Sequence, residues 1–141
     1  MEHNRKNHVR RIVLAAGLAL LGMDATASAG PVDELLLQFR AQGAGGFTVA
    51  AGEQLWERKV TDPKSGQVRR CALCHTADLK KKGKHASTGK VIEPMAPSVN
   101  PERLSDKAKI KKWLARNCKW TLGRECTPQE KGDVLTMLRS R

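Results

Sequence analysis

Cys71-Ala72-Leu73-Cys74-His75 constrains this chain more than any other stretch. Two thiols three residues apart, with histidine directly after the second, form the attachment pattern of a c-type haem. The spacing follows from geometry. On one helical turn Cys71 and Cys74 fall on the same side, so each thiol reaches one of the two haem vinyl groups. His75 then lies under the ring and offers an imidazole nitrogen to iron. A zinc knuckle would need a second close pair of ligands, but the remaining cysteines, Cys118 and Cys126, are separated by seven residues. A thioredoxin-like pair should follow a strand in a βαβ unit, and no such pattern precedes Cys71. The expected cofactor is therefore one covalent haem c per chain.

Residues 1–29 read as a secretory leader. Arg5, Lys6, Arg10 and Arg11 form a positive start, and Ile12 to Gly22 is an apolar run too short to span a bilayer. Ala27-Ser28-Ala29 supplies the small residues that a signal peptidase accepts, so the expected cut precedes Gly30. The Arg10-Arg11 pair lacks the surroundings of a twin-arginine signal. Export through the general secretory route, a periplasmic location and no stable membrane insertion follow as expectations.

The remaining chain, 30–141, has the length of one small cytochrome domain. Three tryptophans, two phenylalanines and no tyrosine leave few aromatic side chains to fill a core. A haem supplies much of the missing apolar volume. Pro31 to Arg40 carries Val32, Leu35, Leu36 and Phe39 at helical spacing, and Val49 to Val60 predicts a second helix with Leu55 and Trp56 inward. Asp62-Pro63-Lys64-Ser65-Gly66 is a turn, and Lys80 to Lys90 reads as a surface loop. Ser105 is the expected cap of a helix on which Ile110, Trp113, Leu114 and Asn117 share one face. Thr127-Pro128-Gln129-Glu130 is a capping box opening a last helix with Val134, Leu135 and Leu138 inward. No strand alternation competes. The expected fold class is all-α, a small single domain of class I cytochrome c type around a covalent haem.

The sixth coordination position has two candidates. Met95, between Pro94 and Pro97, stands where an ordinary cytochrome c carries its methionine ligand. Met137 in the last helix reads as core filler. Asn117 on the apolar helix face is the competitor, and it stands beside Cys118. In an exported chain Cys118 and Cys126 form a disulfide by default, and so short a loop contributes roughly 2–3 kcal/mol. The tie also limits how far a neighbouring weak ligand can move.

Trp113-Leu114-Ala115-Arg116-Asn117-Cys118, then Gly123-Arg124-Glu125-Cys126-Thr127-Pro128, resembles the SHP-type ("sphaeroides haem protein") cytochromes c. Thr88-Gly89-Lys90, Ile92, Pro94, Ala96-Pro97-Ser98 and Pro101-Glu102-Arg103 resemble the same family's middle segment. The likeness runs from about Ala51 to Leu138. It implies His75 as proximal ligand, Asn117 as distal ligand in the ferric state, and Cys118–Cys126 as the family's disulfide. It also implies that the asparagine leaves on reduction and that ferrous iron binds small diatomic molecules such as O₂, NO or CO. A dihaem cytochrome as electron donor is implied as well. Members of the family need not carry methionine at the position of Met95, so a His/Met electron carrier stays open.

The chain is strongly basic, with 26 Lys+Arg against 14 Asp+Glu and a formal net charge of +12. Lys80, Lys81, Lys82, Lys84 and Lys90, with Lys107, Lys109, Lys111 and Lys112, are a solvated face or a surface that steers an acidic redox partner. Nucleic acid is not an expected partner of an exported haem protein. His85 reads as an exposed loop residue. A haem enzyme acting on NO, O₂ or peroxide is a third reading, but no residues resemble peroxidase acid–base machinery. Electron transfer with ligand binding is therefore preferred to catalysis.

Overall fold

A computed structural model describes residues 29–141, so the expected leader lies almost wholly outside the described residues. Its helices start where the sequence can satisfy free backbone N–H groups. Helix α1, Pro31–Ala41, has proline in its first turn with Asp33 and Glu34, and Arg40 near its end. Helix α2, Val49–Glu57, is capped by the Thr48 side chain, which accepts from the Ala51 N–H. Helix α3 is the short Cys71–His75 turn. Helix α4, Lys107–Leu122, ends at Gly123 in the left-handed conformation. Helix α5, Pro128–Arg139, opens on the complete Thr127/Glu130 capping box.

Three local expectations need correcting. Asp106, not Ser105, caps α4: its carboxylate accepts from the Lys109 N–H at 2.9 Å, while the Ser105 hydroxyl donates to the Glu102 carbonyl. Helix α2 stops at Glu57, because Val60–Thr61 (β1) pairs antiparallel with Val68–Arg69 (β2). The intervening turn is knotted by Asp62, which accepts from the Ser65 hydroxyl at 2.6 Å and from the Arg69 guanidinium at 2.5 Å. The expected loop from Lys80 to Lys90 holds a second hairpin, Gly83–Lys84 (β3) against Val91–Ile92 (β4). Two-residue ladders are too short to leave an alternating pattern in sequence. The fold class remains that of a helical domain.

Helices α1 and α2 both pack on α5. The α2–α5 crossing is close because Gly52 has no side chain: a Cβ there would lie 2.5 Å from both the Asp133 carbonyl oxygen and the Met137 Cβ. Val32, Leu35, Leu36 and Phe39 join Ile110 and Leu135 in one cluster. A second gathers Leu55, Trp56, Ala72, Leu79, Ala96, Val134, Met137 and Leu138, with Cys71, Met95, Leu104, Leu114 and Leu122 at its margin. Met137 is core, as expected. Trp113 departs from expectation, because its ring is 49% exposed, beneath the Arg116 guanidinium, while Leu114 and Asn117 are half-buried. No described helix is long and apolar enough to cross a membrane.

Glu130 ties the capping box to the chain around it. It accepts from Arg124 at 2.7 and 2.8 Å, from the Thr127 N–H at 2.9 Å and from Arg58 at 3.1 Å. The Arg124 hydrogen bonds are the main reason its carboxyl falls to about 2 from an ordinary 4.5. The unfolded chain therefore takes up this proton first, so the stabilisation is present above about pH 4.5 and is lost as pH falls toward 2. We expect Glu130→Gln to lower stability at neutral pH and to flatten the melting temperature's decline between pH 4.5 and 2. An unchanged acid limb would count against Glu130 as its source.

Candidate haem site

Helix α3 follows directly on β2 through Arg70, whose extended backbone forms the N-cap. Its single turn brings Cys71 and Cys74 to one side. Both thiols are free, Cys71 half-buried and Cys74 buried, whereas Cys118 and Cys126 are disulfide-bonded with Cα atoms 5.5 Å apart. Burial pushes the Cys71 thiol up to about 11, partly offset by a hydrogen bond with the Thr121 side chain. Burial, and then the positive charges of Arg103 and His85, push the His75 imidazole down to about 4. The ring is therefore neutral at physiological pH, which is the form that ligates a metal.

Three elements hold this turn. Gly83 of β3 lies against it so closely that a Cβ would stand 2.0 Å from the Cys74 carbonyl oxygen and 3.0 Å from the His75 Cα. The Ala86 N–H points at the Cys74 sulfur at 3.4 Å. From the other side comes Trp56, whose ring centroid is 5.5 Å from that of His75 with the planes tilted by 44°. Its indole N–H donates to the Thr76 carbonyl at 2.9 Å.

Helix α4 approaches the motif at Cys71, through Thr121. Asn117 stands one turn earlier, at i and i+4, so the two side chains share a helix face. The Cys118–Cys126 bond ties the next residue to the start of α5. Met95 approaches differently. Its N–H and that of Ala96 both donate to the Leu79 carbonyl, at 2.9 and 3.0 Å. The preceding Pro94 carbonyl accepts from Arg103 at 2.9 Å and from Asn100 at 3.0 Å. Met95 is thus fastened to Leu79, four residues after His75, and to Arg103, whose charge His75 feels. His85 is exposed, as expected, and its Nδ1 accepts from the Ser87 and Thr88 N–H groups.

Thr121 was not singled out in the sequence, while Trp56 was read only as an inward core residue and Arg103 only as part of a family segment. Thr121 could have been found from its i+4 spacing to Asn117. Arg103 and Trp56 reach the site through the fold, and no local pattern announces them.

The donor set fits a covalently attached haem. Two unpaired thiols share one side of the turn, and a half-buried neutral imidazole stands beside them, its Nδ1 buried and unpaired. Cys71 and Ala72 lie in an apolar cluster. Among the described residues no group of three His, Cys, Asp or Glu side chains stands together as a metal site would need.

Residues 42–138 match the family model described as "Domain of unknown function (DUF1924)". The chain is 48% identical over 71 residues to the cytochrome c-type protein SHP of Cereibacter sphaeroides, covering 50% of this chain and 54% of that one. It is 36% identical over 91 residues to cytochrome c'' of Methylophilus methylotrophus, covering 64% and 62%. These alignments span less than two thirds of either relative. Among solved structures, oxidized SHP, described as an oxygen binding cytochrome c, superposes with a TM-score of 0.70 at 34% identity, covering 82% of this chain and all of that one. Oxidized cytochrome c'' from M. methylotrophus gives 0.69 at 31% identity, covering 79% and 94%.

Fold and relatives together define a c-type cytochrome of class I fold that carries covalent haem c. The chain belongs to the DUF1924 family, that of SHP and cytochrome c''.

Two substitutions probe the support of the motif. Gly83→Ala forces the β3–β4 hairpin away from α3, since the atoms it meets are backbone. We expect a loss of about 1–3 kcal/mol, as for overpacking generally, with a perturbed haem absorption band, checked by melts and spectra of the holoprotein. Removing the disulfide as Cys118→Ser/Cys126→Ser should cost roughly 2–3 kcal/mol in denaturant titrations. A loss well below that would show that the loop is ordered without it.

Proposed function

We propose that this protein is an exported monohaem cytochrome, its residues 1–29 a cleaved leader, that transfers electrons and binds a small diatomic ligand when reduced. Cys71 and Cys74 hold the haem as thioethers, His75 is the proximal ligand, and Asn117 is the exchangeable distal ligand. The bound haem supplies a one-electron iron couple and a coordination position for O₂, NO or CO. The chain's own residues decide how that position is used. A neutral carboxamide is a weak, hard ligand suited to ferric iron, so reduction favours departure of Asn117 over that of the His75 imidazole. The disulfide beside Asn117 limits how far its helix end can move.

One observation carries the choice of Asn117 over Met95. The disulfide expected beside Asn117 is formed, and it ties Cys118 near the end of α4 to Cys126 just before α5. Helix α4 meets the motif at Cys71 on the face that carries Asn117. The oxygen-binding description of the solved SHP structure supports the same reading.

The β3–β4 hairpin that covers Cys74 also bears Lys80, Lys81, Lys82, Lys84 and Lys90 at or near its two arms, all exposed. Lys81 and Lys82 pair with Asp78 and Glu93 across exposed gaps of 3.7 and 3.0 Å, and such contacts contribute little. The net positive surface suits an acidic electron-transfer partner, a dihaem cytochrome c among them, with association that slows as salt rises.

Ferric and ferrous spectra of the wild type, Asn117→Ala and Met95→Leu test the ligand set. We expect Asn117→Ala to change the ferric spectrum and leave the reduced protein able to bind CO, with Met95→Leu resembling wild type. A methionine–iron charge-transfer band that disappears in Met95→Leu, with no CO uptake by the wild type, would establish the His/Met carrier instead.

A further inference from the structure

Thr76, directly after His75, has φ 65° and ψ 168°. This region is reserved in practice for glycine, and a β-branched side chain there is strained. The conformation persists because its surroundings impose it. The Thr76 N–H donates to the Ala72 carbonyl at 3.0 Å, closing α3. The Thr76 hydroxyl donates to the Asp78 carbonyl at 2.6 Å. The Thr76 carbonyl accepts the indole N–H of Trp56, a residue 20 positions away in sequence and only 6% exposed. The same indole ring lies against the His75 imidazole.

We propose that Trp56 is a positioning residue for the proximal histidine: its Nε1–H holds the strained Thr76 carbonyl, and this bond together with ring contact fixes the orientation of the His75 imidazole. The proposal rests on His75 being an axial ligand. Two of the three bonds that hold Thr76 come from residues within four positions of it, and those move with the turn. Trp56 belongs to α2, which is locked to α5 through Gly52, so its bond references the histidine to the rigid helical pair. A histidine fixed in this way would stay bound while the other ligand exchanges. Phenylalanine at 56 would keep an aromatic ring against His75 but could not make the bond.

The test uses the reduced holoprotein and reads the iron–histidine stretching band by resonance Raman. Trp56→Phe should shift and broaden that band. Thr76→Gly should leave it near the wild-type position, because glycine adopts the same backbone conformation without being held. Trp56→Phe in the Thr76→Gly background should then give a shift less than half as large as in the wild-type background. An unmoved band in Trp56→Phe, or an equal shift in both backgrounds, overturns the proposal. If Trp56→Phe alone does not fold with haem, its recovery by Thr76→Gly supports the proposal, and failure of the double variant overturns it. Failure of the ligand assignment looks different, since the wild type would then show no iron–histidine band, or His75→Gly would retain it.

Discussion

The domain depends on the seating of a five-residue helix that could not persist alone. A single turn fixes more backbone than its hydrogen bonds repay, so Cys71–His75 takes its shape from what lies against it. A glycine lets the β3–β4 hairpin come to van der Waals contact on one flank. A tryptophan from the α2–α5 pair closes another, and a threonine of α4 reaches the first cysteine. Each contact comes from a different part of the chain, and together they reach Cys71, Cys74 and His75. The site is therefore a meeting point of otherwise separate elements, and the helices serve mainly to bring them there.

Much of this was legible in the sequence, for reasons that can be traced residue by residue. The CALCH spacing states its own geometry. The Thr127–Glu130 box and the first-turn proline of α5 are local devices whose partners lie three residues apart, so they appear intact in the structure. The face of α1 with Val32, Leu35, Leu36 and Phe39 is likewise a property of one segment. The Asn-Cys pair with its distant cysteine pointed to the family and to the disulfide.

What escaped is non-local or very short. The two hairpins are each held by a ladder of two residues and by side-chain bonds in the turn, such as those converging on Asp62. Capping by Asp106 in preference to Ser105 was decided by one residue of register, since both side chains suit the role and Ser105 finds the Glu102 carbonyl. Trp113 follows the helical period of buried neighbours yet remains half-exposed with an arginine over its ring. The Trp56 bond to Thr76 spans two elements, and a strained threonine leaves no mark in composition or periodicity.

Asp133 carries a consequence for how the chain assembles. This nearly buried carboxylate on α5 accepts the backbone N–H of Thr48, 85 residues earlier, and so completes the start of α2 from the far end of the sequence. The start of α2 has all its partners only when α5 is docked against it. Until then the segment bearing the two thiols has no finished platform behind it. A nascent chain arrested before its C-terminal dozen residues should expose the CALCH segment as open polymer, accessible to whatever machinery joins porphyrin to protein.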